Sequence, residues 1–178
     1  MRTLYHFTNL PRLESIIGEG LIRPSESNIG APWSDPRYPY GEHAAPPVVH
    51  LLDTANPFEF DHGLTGVVHD KRQVRIGVEV PGIPWRSWEW TQMMSPRWRR
   101  ILADQVGVGA DTHWRVFPAP IRRRRWSSIA VKEDNDTPIP EAYKSQLGPA
   151  DESGYHPVSE SLIEAIAGAP DSRVSPSL

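Results

Sequence analysis

Cysteine is absent from the chain, which excludes disulfides and thiolate metal sites and leaves the redox compartment open. No apolar run approaches the length of a membrane span, and the first residues lack the apolar core of a signal peptide. The expectation is a cytoplasmic protein with no membrane partner. There is no internal repeat, no P-loop and no GxGxxG, and the seven histidines show no metal-ligand spacing, so no metal is expected. Apolar residues are lean at 38% and phenylalanines number four, whereas the 19 prolines are about twice average usage. That balance predicts much loop around a compact folded part. Seven tryptophans point to flat, partly wet aromatic surfaces.

A net charge of −3 conceals a division along the chain. Residues 97–125 hold eight arginines against Asp104 and Asp111, and residues 133–178 hold nine acids against Lys144 and Arg173. A basic surface and an acidic tail are expected rather than an evenly charged globule. At 178 residues the chain is long enough for one cored domain with an appendage. The spacing predicts a domain over 1–132, then an acidic linker, a short helix and a tail over 133–178.

The first twenty residues have the clearest local grammar. Leu4 to Thr8 reads as a strand, with Leu4, His6 and Thr8 on one face and Tyr5 and Phe7 on the other. His6 and Thr8 are expected to face a cleft, and Tyr5 and Phe7 the core. Asn9 is an N-cap and Pro11 falls in the first helical turn, where its missing N–H costs nothing. Leu10, Leu13, Ile16 and Ile17 recur at helical spacing, and Gly18 and Gly20 can end the helix in the left-handed conformation.

This Tyr-His-x-Thr strand followed by Leu10-Pro11-Arg12-Leu13-Glu14-Ser15-Ile16-Ile17 and a glycine exit resembles the opening of the ADP-ribosyltransferase fold, in particular its small bacterial and phage branches. The resemblance implies an α+β fold, a small split antiparallel sheet with flanking helices, and NAD as the substrate. It implies that His6 hydrogen-bonds a ribose of NAD, that backbone groups of Phe7 and Thr8 just after it hold the nicotinamide amide, and that Thr8 supports the same pocket. It further implies a carboxylate near the nicotinamide ribose, to stabilise the oxocarbenium ion as nicotinamide leaves. Glu79 is the first candidate and Glu26 the second, with Ser25 beside Glu26 in the cofactor-binding group.

The remaining elements are read from pattern. Val48 to Leu52 is a strand by β-branched content, and its His50 stands near the point where some branches of the family contact nicotinamide or ribose. Residues 31–47 read as a long proline-rich loop. Val74 to Val80 alternates cleanly, with Val74, Ile76, Val78 and Val80 toward the core and Arg75, Gly77 and Glu79 on the other face. Arg75 is expected to pair with a phosphate of NAD. Ser95-Pro96 starts a helix, His113 to Phe117 is a strand, and Ser127 to Val131 a last strand.

Arg122, Arg123, Arg124 and Arg125 followed by Trp126 suggest phosphate contacts beside a stacking platform, and hence a macromolecular acceptor, protein or nucleic acid. The acidic C-terminal segment is expected to fold back over this surface. Two other readings stay open. One is an NAD glycohydrolase or RNA 2′-phosphotransferase on the same fold, and the other a non-catalytic interaction protein that has lost the chemistry.

Overall fold

A computed structural model describes residues 3–25, 46–56, 71–80, 85–86, 92–93, 95–97, 99–100, 113–134 and 137–168. Within them a seven-stranded sheet has the order β5-β6-β3-β1-β4-β8-β9, beside a two-stranded sheet of β2 and β7. The strands are β1 Leu4–Thr8, β2 Leu21–Ile22, β3 Val49–Leu52, β4 Val74–Val78, β5 Trp85–Arg86, β6 Trp114–Phe117, β7 Ile121–Arg122, β8 Trp126–Val131 and β9 His156–Pro157. The helices are α1 Leu10–Glu19, a four-residue α2 Glu141–Lys144, and α3 Glu160–Gly168. All pairings are antiparallel. The α+β class and the antiparallel sheet are as expected, and none of the described helices is long and apolar enough to cross a membrane.

Helix α1 begins and ends where its caps dictate. Asn9 Oδ1 accepts from the Arg12 N–H at 3.1 Å, and Pro11 occupies the first turn. Gly20 closes the helix at φ 63°, a left-handed conformation that disfavours side chains with a Cβ, while Gly18 stays within the helix. Leu10, Leu13 and Ile17 are buried against the sheet. They join Leu4, Val74, Ile76 and Val78, and beyond these Ile22, Ile121, Ile129 and Ile163, in the main core.

The opposite face of the sheet is covered as well, and here the expected organisation needs correction. Residues 137–168 do not behave as a linker and appendage. Strand β9 adds to the sheet edge at β8, pairing Ala130 with Pro157 and Val131 with His156. Helix α3 packs on α1, and Ile139, Leu162 and Ile163 are buried. Tyr155 is fully buried, with Phe7, Leu52 and Ala130 around it in a second, smaller core. Its hydroxyl donates to the Arg72 carbonyl.

Arg75 completes this second face. Its guanidinium lies 4.3 Å from the Tyr155 ring centre, donates to Asp151 Oδ2 at 2.6 Å, and donates to the Ala55 carbonyl at 3.0 Å. Asp151 Oδ1 in turn accepts from the N–H groups of Ser153 and Tyr155, closing a tight turn. Next to Arg75 on the same face, Gly77 is required by a close approach. The register between β4 and β8 shifts at Gly77/Val78, and a methyl group on Gly77 would come within 2.5 Å of Ser128 Oγ and 2.7 Å of Ser127 Oγ.

Two outcomes follow for stability. Tyr155→Ala is expected to cost about 3–5 kcal/mol in urea unfolding, the range for emptying an aromatic site in a core; a loss below ~1 kcal/mol would mean that residues 137–168 are dispensable. Burial alone would raise the Asp151 carboxyl, but hydrogen bonds from Arg75, Tyr155 and Ser153 hold it below the usual range. The stabilisation is therefore present above the unfolded carboxylate pKa and is lost as pH falls through the lower folded value. Asp151→Asn should lower stability at pH 7 and make no difference at a pH below both values.

Candidate functional site

Strand β1 lies in the middle of the sheet, yet its two neighbours hold it unequally. Five register pairs join it to β4, from Leu4↔Val78 to Thr8↔Val74. A single pair, Tyr5↔Leu52, joins it to β3. Beyond that pair a side chain bridges the two strands: His6 Nδ1 lies 3.0 Å from the His50 carbonyl oxygen. The carbonyl can only accept, so Nδ1 carries the hydrogen, and in the neutral ring Nε2 is the acceptor.

The two histidines share an environment that keeps them neutral. His6 is lowered from its ordinary value by burial first, then by the charges of Arg12 and Lys71, with the His50 carbonyl opposing. His50 is pushed down to about 4 by burial and then by His6 and Lys71. Its ring meets Trp114 edge-on, with centres 6.0 Å apart. Lys71 is itself lowered, by burial and by Arg12. Lys71 thus acts on both histidines, and Arg12 on His6.

Ser25 joins the same end of the structure. Its N–H and carbonyl exchange hydrogen bonds with Val48 at 3.0 and 3.2 Å, at the start of the chain segment that becomes β3. Val48 is two residues from His50, about 7 Å of strand. His6, His50 and Ser25 are thereby brought to one region. Thr8 is there too but is buried, at 4% exposure, rather than open to a cleft.

Other expected members stand elsewhere. The register places His6 opposite Ile76, on the face of Val74 and Val78, and Phe7 opposite Arg75, on the face covered by Tyr155. The expectation that Phe7 faces a core holds, but the core is the second one, and His6 shares a face with the main one. Arg75 is on the other side of the sheet from His6 and is engaged by Asp151. Glu79 follows the end of β4, three residues beyond the position opposite His6, and its N–H donates to the Arg125 carbonyl at 2.7 Å. Glu26 lies outside the described residues, as does most of the 31–47 loop.

The arginine run is built into the join between the two sheets. Arg122 pairs with Leu21 in β7, and the Arg123 N–H donates to the Gly20 carbonyl. The Arg123 side chain is ion-paired with Glu160 of α3, so one contact between the basic run and the acidic segment is present. Trp126 is half-buried against the main core and donates to the Ile121 carbonyl at 3.3 Å. Its ring serves packing. Arg122 and Arg124 remain exposed.

Two arrangements carry no motif along the chain. Asp53, at the end of β3, accepts from His113 Nδ1 at 2.9 Å and from Arg115 Nη2 at 2.6 Å, with its own side chain 8% exposed. This cluster ties β3 to β6 at the end opposite Ser25. Gln73 is 2% exposed; its carbonyl oxygen accepts from the Leu10 N–H at 2.9 Å and its amide donates to the Thr137 carbonyl. Neither residue sits in a motif, and only long-range register joins their partners. No group of three His, Asp or Glu converges as a metal site among the described residues.

Comparison with family models, with curated proteins and with solved structures finds no match to the chain.

Chemically, the region between His6 and His50 offers two neutral imidazoles, that of His6 fixed in one tautomer. Unfolded His50 takes a proton near pH 6.5 and folded His50 only near 4. The unfolded chain therefore binds more protons in that window, and stability should fall as pH drops through it. His50→Gln should flatten this part of the stability–pH curve measured by denaturant titration; an unchanged slope would refute the neutral-histidine assignment.

Proposed function

We propose that the chain binds NAD and cleaves its nicotinamide–ribose bond, passing ADP-ribose to a macromolecular acceptor, on a fold of the ADP-ribosyltransferase type. The observation that carries this reading is His6 of the Tyr-His-x-Thr strand, its ring held to the β3 backbone beside a single β1–β3 register pair. A split antiparallel sheet with the histidine of a Tyr-His-x-Thr strand at the split is what the resemblance implies, and that histidine is fixed in one tautomer by the His50 carbonyl. Ring nitrogen and strand backbone together suit a ribose hydroxyl and a carboxamide.

The carboxylate assignment shifts within this reading. Glu79 is three strand positions, about 10 Å, from the level of His6. Glu26 follows Ser25 directly in the sequence, and Ser25 pairs with Val48 at the start of the β3 segment. Glu26 is preferred over Glu79 as the carboxylate for the developing cation. As the glycosidic bond breaks, the electron pair leaves with nicotinamide, and the positive charge on the ribose is balanced by that carboxylate until an acceptor oxygen or nitrogen attacks. Arg122 and Arg124 are the exposed members of the run available to a polyanionic acceptor.

NAD at 100 times its Kd should stabilise the fold by about 2.7 kcal/mol, read as a raised Tm. Nicotinamide release should then fall by about 10²-fold or more in Glu26→Gln, the scale for removing one transition-state charge contact. Release should also fall in His6→Ala and persist in Glu79→Gln. Product analysis separates transfer from hydrolysis. Absence of both a Tm shift and nicotinamide release would remove the reading.

A further inference from the structure

We infer that the cavity between α2 and β9 is a binding site for an alkylguanidinium group, with Glu133 and His156 as its acceptors.

The cavity has a volume of about 390 Å³, within the roughly 300–1,000 Å³ common for small-molecule clefts. Strands β4 and β8 stand between β9 and β1 in the sheet, so the cavity is separate from the His6 region and independent of the NAD reading. Tertiary contacts set its walls. Ile139 is buried in the main core and fixes the chain just ahead of α2. The Tyr143 hydroxyl donates to Glu14 Oε1 at 2.7 Å and ties α2 to α1. Leu147 bridges to Val158, and the Gly148 N–H donates to the Pro157 carbonyl at 2.9 Å, which holds the far wall against β9.

The polar groups of these walls are unequally used. His156 Nδ1 lies 2.9 Å from the Gly148 carbonyl oxygen, so Nδ1 carries the hydrogen and Nε2 of the neutral ring is an acceptor. Both backbone polar groups of Gly148 are thereby committed to β9. Lys144 Nζ is held by Glu141 at 3.0 Å. Among the described residues no group donates to His156 Nε2 or to the Glu133 carboxylate. The donors around the cavity are engaged and two acceptors are left, so a ligand that fits must bring N–H groups of its own. Charge points the same way, since Glu133 and Glu141 stand against the one ammonium of Lys144.

A guanidinium meets these conditions in one rigid group. It carries five N–H donors and no acceptor, and its planar fork matches a carboxylate with two parallel hydrogen bonds. An ammonium is a point charge without that fork. Ile139, Leu147 and Pro149 offer apolar surface on which an aliphatic stem can lie. The same chemistry belongs to a free alkylguanidine and to an arginine side chain presented by a protein partner.

The test is an NMR titration of the full chain that follows the His156 ring nitrogens and the Gly148 amide. The probes are agmatine, a capped Ala-Arg-Ala peptide and the matching peptide with norleucine in place of arginine. Both signals should shift saturably with a guanidinium probe and stay in place with the norleucine peptide. Binding of agmatine supports the site with a free small molecule as its ligand, and binding of the arginine peptide alone supports it with a protein side chain. Glu133 is exposed and makes no described hydrogen bond, so Glu133→Gln should keep its Tm. Its affinity for the bound probe should fall roughly tenfold. Equal shifts with the norleucine peptide, an affinity unchanged in Glu133→Gln, or no saturable shift with about 10 mM of either guanidinium probe would each overturn the site.

Discussion

Strand β1 lies in the middle of the sheet and is held unequally by its two neighbours, by five register pairs toward β4 and one toward β3. Toward β3 the ladder is a single pair, after which the His6 imidazole supplies the connection through the His50 carbonyl. Much of the surrounding structure can be understood as holding β1 and β3 in place. The Gln73 clamp fixes one end of β1 against α1, the Ser25–Val48 exchange fixes the start of the β3 segment, and the Asp53 cluster fixes β3 to β6 at its far end. Each anchor lies at a strand end, and the His6 imidazole joins β1 to β3 between them.

Covering both faces of the sheet constrains the chemistry of each. The main core takes Leu4, Val74, Ile76 and Val78, and the face of Arg75 is closed by Tyr155 and the Asp151 turn. A strand that alternates Val, Arg, Ile, Gly, Val invites the reading of a solvent-facing polar side, but Arg75 is only 13% exposed at its side chain. Its charge is retained because it is hydrogen-bonded and paired, and because the flat guanidinium stacks on an aromatic ring. The pair secures the C-terminal segment to the sheet, and the residue is thereby removed from any role on the His6 side.

Local grammar was legible and long-range register was not. Asn9, Pro11 and Gly20 each act within four residues of their own position, so α1 could be read closely, and the alternation of Val74 to Val78 marks a strand without any partner being known. Residues 137–168 defeated the same approach. Strand β9 has two residues, one of them proline, and α2 has four. Elements so short carry no period, and what fixes them is tertiary: Tyr155 entering a pocket of Phe7, Leu52 and Ala130, and Ile139 and Ile163 joining the main core. The candidate site divided along the same line. His6, Thr8, Ser25 and His50 lie in one region because neighbouring strand ends put them there. Arg75 and Glu79 were assigned on a strand face whose partner only the β1–β4 register reveals.

Charge follows the same logic once the pairs are counted by place rather than along the chain. The acidic C-terminal stretch and the basic run looked like two opposed surfaces, but Asp151 is spent on Arg75 within the second core face and Glu160 on Arg123 at the sheet junction. In the His6 region burial, more than any ion pair, sets the charge: it is the first cause that lowers both histidines, and it lowers Lys71 as well.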